Sequence, residues 1–270
     1  MKKKIITVYL CSPYVPKKCF KDFLYHYKRY KSGIKHDLLI CYKNLSECEI
    51  LKFRKKLKGT KHIEFLDTEK KNDFDFGTLK RVAKRYKNYL IFFMNGHSYP
   101  VKDNWLKYFY KNHKTKTIIV STASYESLSS NSRYRFKGDN YFKYFYKIIK
   151  YTFLFPLFPN PHFRTTNFLI NANDFLSYDF PKKLKSKEEA WMVESGRRSI
   201  YNFFKKKKFN ILVVNSDNKL FNEKNWFKSE TYAYKEQNKK IMSDNHVRKY
   251  IKLNKEKKAK KSITVWGRVG

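Results

Sequence analysis

Apolar residues in the first 120 positions follow two alternating rhythms. Short runs at 5–10, 37–42, 63–66, 89–94 and 117–120 are rich in Ile, Val, Leu, Phe and Tyr and have the length of strands. Between them apolar positions recur at helical spacing, as with Phe20, Phe23, Leu24 and Tyr27 in segment 17–30. Segments 46–57, 76–86 and 104–110 read as helices in the same way, and Ser46 with Glu49 three residues later forms a capping-box signal. This βαβαβαβαβ order predicts an α/β domain with a mostly parallel, doubly wound sheet and ligands at the carboxyl ends of its strands. Strands at 168–170 and 211–214, separated by a helix at 188–204, extend it.

The middle and the end of the chain break the rhythm. Residues 141–158 (YFKYFYKIIKYTFLFPLF) mix aromatics with Lys. Such a segment either lies on a membrane surface or packs on the sheet with snorkelling lysines, and the second reading is preferred. After Tyr234 the chain is polar and helical, with a Lys run at 255–261. The expected organisation is one α/β domain over 1–234, divided into halves at 1–124 and 125–234, followed by a basic helical extension over 235–270.

Composition narrows the classes. There are 61 Lys+Arg against 23 Asp+Glu, a formal charge of +38, yet 19% aromatics in 270 residues rule out global disorder. The charge suits nucleic acid, an anionic membrane surface or a phosphate-bearing substrate, or it reflects an AT-rich composition. No apolar run spans a bilayer. The apolar start stops at Pro13 with no small-residue cleavage site, so a cytoplasmic location is expected, with peripheral attachment to the membrane's inner face as an option. Cys11, Cys19, Cys41 and Cys48 form no CxxC pair and are expected as reduced thiols. P-loop, GxGxxG, GxSxG and HExxH patterns do not occur.

Polar clusters follow three of the strands: Asp67, Asn95-Gly96-His97 and Thr122–Ser124. In a parallel sheet they converge on one edge. Farther on, His162 and Arg164 sit in a loop held extended by Pro159 and Pro161, and an acidic group, Glu188, Glu189 and Glu194, lies in a chain poor in acids.

These strings resemble a known family. The run YLIFFMNGHSYPVKDNWLKYF is similar to the GT-A glycosyltransferase segment (family 2-like) in which a buried strand ends in Asp-x-Asp. More narrowly it resembles bacterial polysaccharide-biosynthesis glycosyltransferase-like proteins. SYES, PNPHFRTTNFLI, ESGRRS, SETY and DNHVRKY continue the resemblance in order along nearly the whole chain. It implies a single GT-A-like (Rossmann-like) domain that moves sugar from a nucleotide-sugar donor to a glycan or lipid-linked acceptor in surface polysaccharide or lipopolysaccharide synthesis. By the same resemblance Ser12, Pro13, Asp67, Asp75, Arg81, Asn95 and His97 bind the donor. Glu194 is the base of an inverting reaction, with Glu188 and Glu189 as alternatives. His162, Arg164 and Arg197 serve the acceptor or phosphate. The Asp-x-Asp place is here Asn95-Gly96-His97, so a divalent metal (Mn2+ or Mg2+) would rely on His97 and His246. Alternatively Arg81, Arg164, Arg197 and Arg198 neutralise the diphosphate without one. Two other readings stand beside this: a basic nucleic-acid-binding protein, for which no recognition motif is visible, and an inactive relative that binds glycan or membrane.

Overall fold

Alternation along the strands builds a layer on each side of a sheet. In β1 (Ile5–Cys11), Ile6, Val8 and Leu10 point into one buried cluster and Ile5, Tyr9 and Cys11 into the other. β4 (Leu90–Met94) divides the same way, with Ile91 and Phe93 against Leu90, Phe92 and Met94. The computed structural model describes residues 4–69, 73–133, 140–182, 184 and 186–270.

The remaining main-sheet strands are β2 (Asp37–Lys43), β3 (Ile63–Asp67), β5 (Thr117–Val120), β6 (Asn167–Asn171), β7 (Asn210–Val214) and β8 (Leu220–Phe221). Their order across the sheet is β8-β7-β5-β6-β4-β1-β2-β3. Pairs β1–β2, β2–β3, β1–β4 and β5–β7 are parallel. β6 runs antiparallel to both β4 and β5, and β8 antiparallel to β7. The expected α/β class with a mostly parallel sheet is therefore what the chain forms. The chain winds outward from β1 through β2 to β3, then returns to place β4 on β1's other side. That reversal opens a crevice at the carboxyl ends of β1 and β4.

Helices α1 (Lys17–Arg29), α2 (Glu47–Leu57) and α4 (Trp105–Asn112) contribute to one face. α3 (Phe74–Arg85), α7 (Ala172–Leu176), α8 (Lys187–Ser195) and α9 (Ile200–Lys206) contribute to the other. The capping box forms: Glu49 N donates to Ser46 Oγ at 3.3 Å, and Ser46 N to Glu49 Oε2 at 3.0 Å. Ser46→Ala is expected to lower unfolding stability by about 1 kcal/mol in urea titrations. No change would mean that the cap contributes nothing.

Segment 188–204, expected as one helix, is two. α8 ends at Ser195, Gly196 is extended, and Ser199 Oγ caps α9 by accepting from Asn202 N at 3.3 Å. The C-terminal stretch holds α10 (Asn245–Ile251) and α11 (Lys255–Trp266). Val247, Tyr250, Val265 and Trp266 are buried in the same cluster as β1's Val8, so this stretch completes the core. Two short antiparallel pairs tie loops together at the crevice: Tyr99–Pro100 with Met242–Ser243, and Ala123–Ser124 with His162–Phe163.

Between β5 and β6 in chain order come α5 (Leu128–Arg133) and α6 (Tyr141–Leu154), which pack against each other. The preferred reading of α6 as a helix laid on the sheet does not hold. Within it Tyr151 alone is buried, and its aromatic face points outward.

Candidate active site

The loop after β1 and the turn after β4 form one wall of the crevice. Asn95 Oδ1 accepts from His97 N (3.2 Å) and Ser98 Oγ (2.6 Å), so its side chain closes the turn. Gly96 is required by proximity: an added Cβ would sit 2.5 Å from Leu10 O, while Tyr9 OH donates to Gly96 O at 2.6 Å. The turn is thereby clamped to β1.

The opposite wall comes from α3, α8 and the loop before β6. Together they enclose two adjoining lobes of about 500 and 470 Å3. The first is lined among others by Ser12, Tyr14, Asp75, Phe76 and Lys187. The second is lined by Glu126, His162, Arg164, His246 and Lys261 among others. Asn95, His97, Thr165, Thr166, Trp191 and Glu194 line both. Glu194 thus stands where the lobes meet.

Its environment is unlike that of a surface acid. The Thr165 hydroxyl donates to Glu194 Oε1. Burial pushes the Glu194 carboxyl above its usual range, against the pull of Thr165 and Arg164, and Asp75's charge adds to the rise. Arg164 lies with its guanidinium 4.1 Å over the Tyr232 ring and pairs with Asp244 at 3.0 Å. Asp244 caps α10 by accepting from His246 N and Val247 N at 2.8 and 3.0 Å. One contact therefore orders both Arg164 and the C-terminal helix.

Burial lowers the pKa of the three histidines that line the crevice. Burial lowers His97, and Arg248, whose guanidinium donates to His97 O at 3.1 Å, lowers it further. Burial also lowers His162. His246 is lowered to about 4 by burial and by Arg164's charge. This donor set does not fit a divalent ion well. Both acceptor sites of Asn95 Oδ1 are taken by the turn, and the charges of Arg248 and Arg164 act on His97 and His246. Among the described residues no group of three His, Cys, Asp or Glu side chains converges as ligands.

The crevice gathers Ser12, Asp75, Asn95, His97, His162, Arg164, Glu194 and His246 from the expected site residues. Pro13 is exposed beside it and does not line it. Asp67 and Arg81 bind each other instead, with Arg81 Nε and Nη2 donating to the two Asp67 oxygens at 2.7 and 2.6 Å. Arg197 points elsewhere, donating to Phe153 O and Thr152 O at the end of α6. Tyr14, Lys187 and Trp191 line the site without having been singled out by the sequence. Tyr14 is 81% exposed at the mouth, in a loop where an aromatic has no core to join.

No family model and no curated protein matches the chain. Among solved structures it is similar to the apo glycosyltransferase GlyE of Streptococcus pneumoniae TIGR4, at 14% identity over 77% of this chain and 45% of that one, TM-score 0.43. It is similar to the galactosyltransferase LgtC in complex with donor and acceptor sugar analogues, at 11% identity over 78% and 73%, TM-score 0.43. A 4-diphosphocytidyl-2C-methyl-D-erythritol synthase from Anaerococcus prevotii DSM 20548 gives 12% identity over 78% and 86%, TM-score 0.44. The chain spans less than half the length of GlyE. These are distant likenesses of fold, and the chemistry of the crevice has to come from its own residues.

Proposed function

We propose that this protein is a glycosyltransferase that uses a nucleotide-sugar donor and inverts the anomeric centre, with Glu194 as the base. The observation that carries the reading is the position of Glu194: one carboxylate at the junction of two lobes, at the carboxyl edge of a mostly parallel sheet. Two substrates in two lobes need a proton acceptor between them, and Glu194 is the carboxylate there. The first lobe, between the β1 loop and α3, takes the donor, with Tyr14 at its mouth as a surface on which a base can stack. The second lobe takes the acceptor hydroxyl.

In this reading Glu194 Oε1 is held by Thr165 and Oε2 takes the acceptor's proton. The acceptor oxygen then bonds to the anomeric carbon as the bond from that carbon to the diphosphate breaks. The leaving nucleoside diphosphate keeps the electron pair. Lys187, in the donor lobe, acts on the charge of Glu194 and stabilises the diphosphate as its charge develops. The acceptor would be a glycan or a lipid-linked glycan in surface polysaccharide synthesis.

A thermal-shift panel tests the donor lobe. A nucleotide-sugar that binds only the folded state stabilises it by RT ln(1 + [L]/Kd), about 2.7 kcal/mol at a hundredfold excess over Kd, and so raises the melting temperature. At least one nucleoside-diphosphate sugar is expected to raise it, and Tyr14→Ala to abolish the rise. A shift produced by mixed-sequence RNA and by no nucleotide-sugar would sink the proposal in favour of nucleic-acid binding.

A further inference from the structure

α6 presents an apolar face to water. Phe142, 89% exposed, together with Phe145, Tyr146, Ile149 and Phe153, is exposed on the outside of the helix. At 3.6 residues per turn these five fall within an arc of about 100°. Lys143, Lys147 and Lys150 lie together on one flank of that arc, and Tyr151 faces inward. Leu157 and Phe158 continue the exposed stripe past the helix end. Residues 140–158 include no Asp or Glu. A further cation, Arg197, is fastened beneath the helix end, with Nε and Nη2 donating to Phe153 O and Thr152 O at 3.0 and 2.9 Å. Beside it runs a groove of about 740 Å3 lined by Phe153, Phe180, Pro181, Lys182, Arg197 and Arg198 among others.

An exposed apolar patch of this kind marks an interaction surface. Its geometry selects the occupant. A 14-residue helix is about 21 Å long, short of the roughly 30 Å hydrocarbon core, so it lies in the interface plane and does not cross. Among the described residues no helix is long and apolar enough to span a membrane. Aromatic rings at headgroup depth with lysines on the flank form the pattern of an interfacial helix. The protein's charge of +38 extends attraction to an anionic surface well beyond the helix.

We infer that α6 is a membrane-interface helix that seats this protein on an anionic lipid bilayer, with its rings in the headgroup layer and Lys143, Lys147 and Arg197 against the phosphates. The inference concerns a surface separate from the crevice and stands whether or not the transferase reading does.

Co-sedimentation with lipid vesicles, with no donor or acceptor present, tests it. The full chain is expected to bind vesicles of phosphatidylcholine containing phosphatidylglycerol, to ignore phosphatidylcholine alone, and to detach as salt rises. The Phe142→Ser, Phe145→Ser, Phe153→Ser triple variant should bind at least about tenfold more weakly, with circular dichroism and melting temperature unchanged because these side chains are already in water. Lys143→Glu with Lys147→Glu should weaken binding while leaving the rings in place. Equal vesicle binding by the triple variant would overturn the inference, because charge alone would then suffice. So would a wild-type protein that ignores the anionic vesicles. A wild-type dimer in analytical ultracentrifugation that the triple variant disperses would also overturn it, by assigning the face to a second copy of this chain.

Discussion

Glu194→Gln is expected to lower transfer activity by about 10²- to 10⁴-fold and to leave the protein at least as stable as the wild type at pH 7. The first effect follows from the loss of the carboxylate at the junction of the lobes. The second follows from linkage. The Glu194 carboxyl is held above its ordinary 4.5 in the folded state, so folding favours its protonated form. That contribution is complete below pH 4.5 and is lost as pH rises through the raised value, so the ionised side chain is a liability at neutral pH. Glutamine keeps the shape, cannot ionise, and can still accept from Thr165. Melting temperatures across pH 4–8 should therefore show the variant gaining on the wild type as pH rises. The wild-type rate should have an acid limb above the usual carboxylate range, because the base must be ionised to act. Thr165→Val, which removes the hydrogen bond that favours the charged form, should move that limb higher still. A variant that melts earlier than the wild type at pH 7 would show Glu194 to be a structural strut, and full activity in it would dismiss the base assignment.

This placement shows how far the sequence could be read. The runs at 37–42 and 117–120 matched strands because a buried strand leaves an apolar block of strand length. Ser46 and Glu49 announced their helix because the cap is a local interaction. The direction of β6 was invisible, since a fully buried strand reads the same in a parallel or an antiparallel pair. The helix break at Gly196 was hidden by apolar positions that keep a helical rhythm across it. With 19% aromatics, Tyr14 and Trp191 had no contrast with their neighbours, although both line the crevice. The α6 stripe posed the same difficulty in reverse: the sequence offers a packed face and a lipid face with identical composition, and only the surrounding layers decide which side is covered. Glu194 could be picked out because acids are scarce in this chain. For Asp67 and Arg81 the resemblance implies donor binding, and the residue types alone do not distinguish a ligand contact from the ion pair they form.

Those two residues carry the other large expected effect. Arg81 Nε and Nη2 grip both oxygens of Asp67, Nη1 donates to Asp73 Oδ2 at 2.6 Å, and Thr78 donates to Asp67 as well. Lys43, on β2, donates to Asp73 and to Phe74 O. The Asp67 side chain is 1% exposed, so its charge has no recourse to water. Gly77 belongs to the same arrangement: an added Cβ would fall 1.8 Å from Asp73 Oδ2, which shows how closely that carboxylate is drawn against α3. Burial opposes the Asp73 charge, yet Arg81 and Lys43 hold its carboxyl below 3.8. Its stabilising contribution is therefore full above that pH and is lost as pH falls through the lower folded value. Arg81→Met should cost about 3–5 kcal/mol in urea titrations at pH 7, because it strands a buried carboxylate. The double variant Asp67→Asn, Arg81→Met should recover much of that loss, and the cycle isolates the pairing energy. A cost below about 1 kcal/mol would class the pair with surface ion pairs. If Arg81 instead served the donor, Arg81→Met would abolish the nucleotide-sugar thermal shift at unchanged stability. The bidentate grip on Asp67 argues for the opposite result, a destabilised protein whose remaining folded fraction still binds the donor.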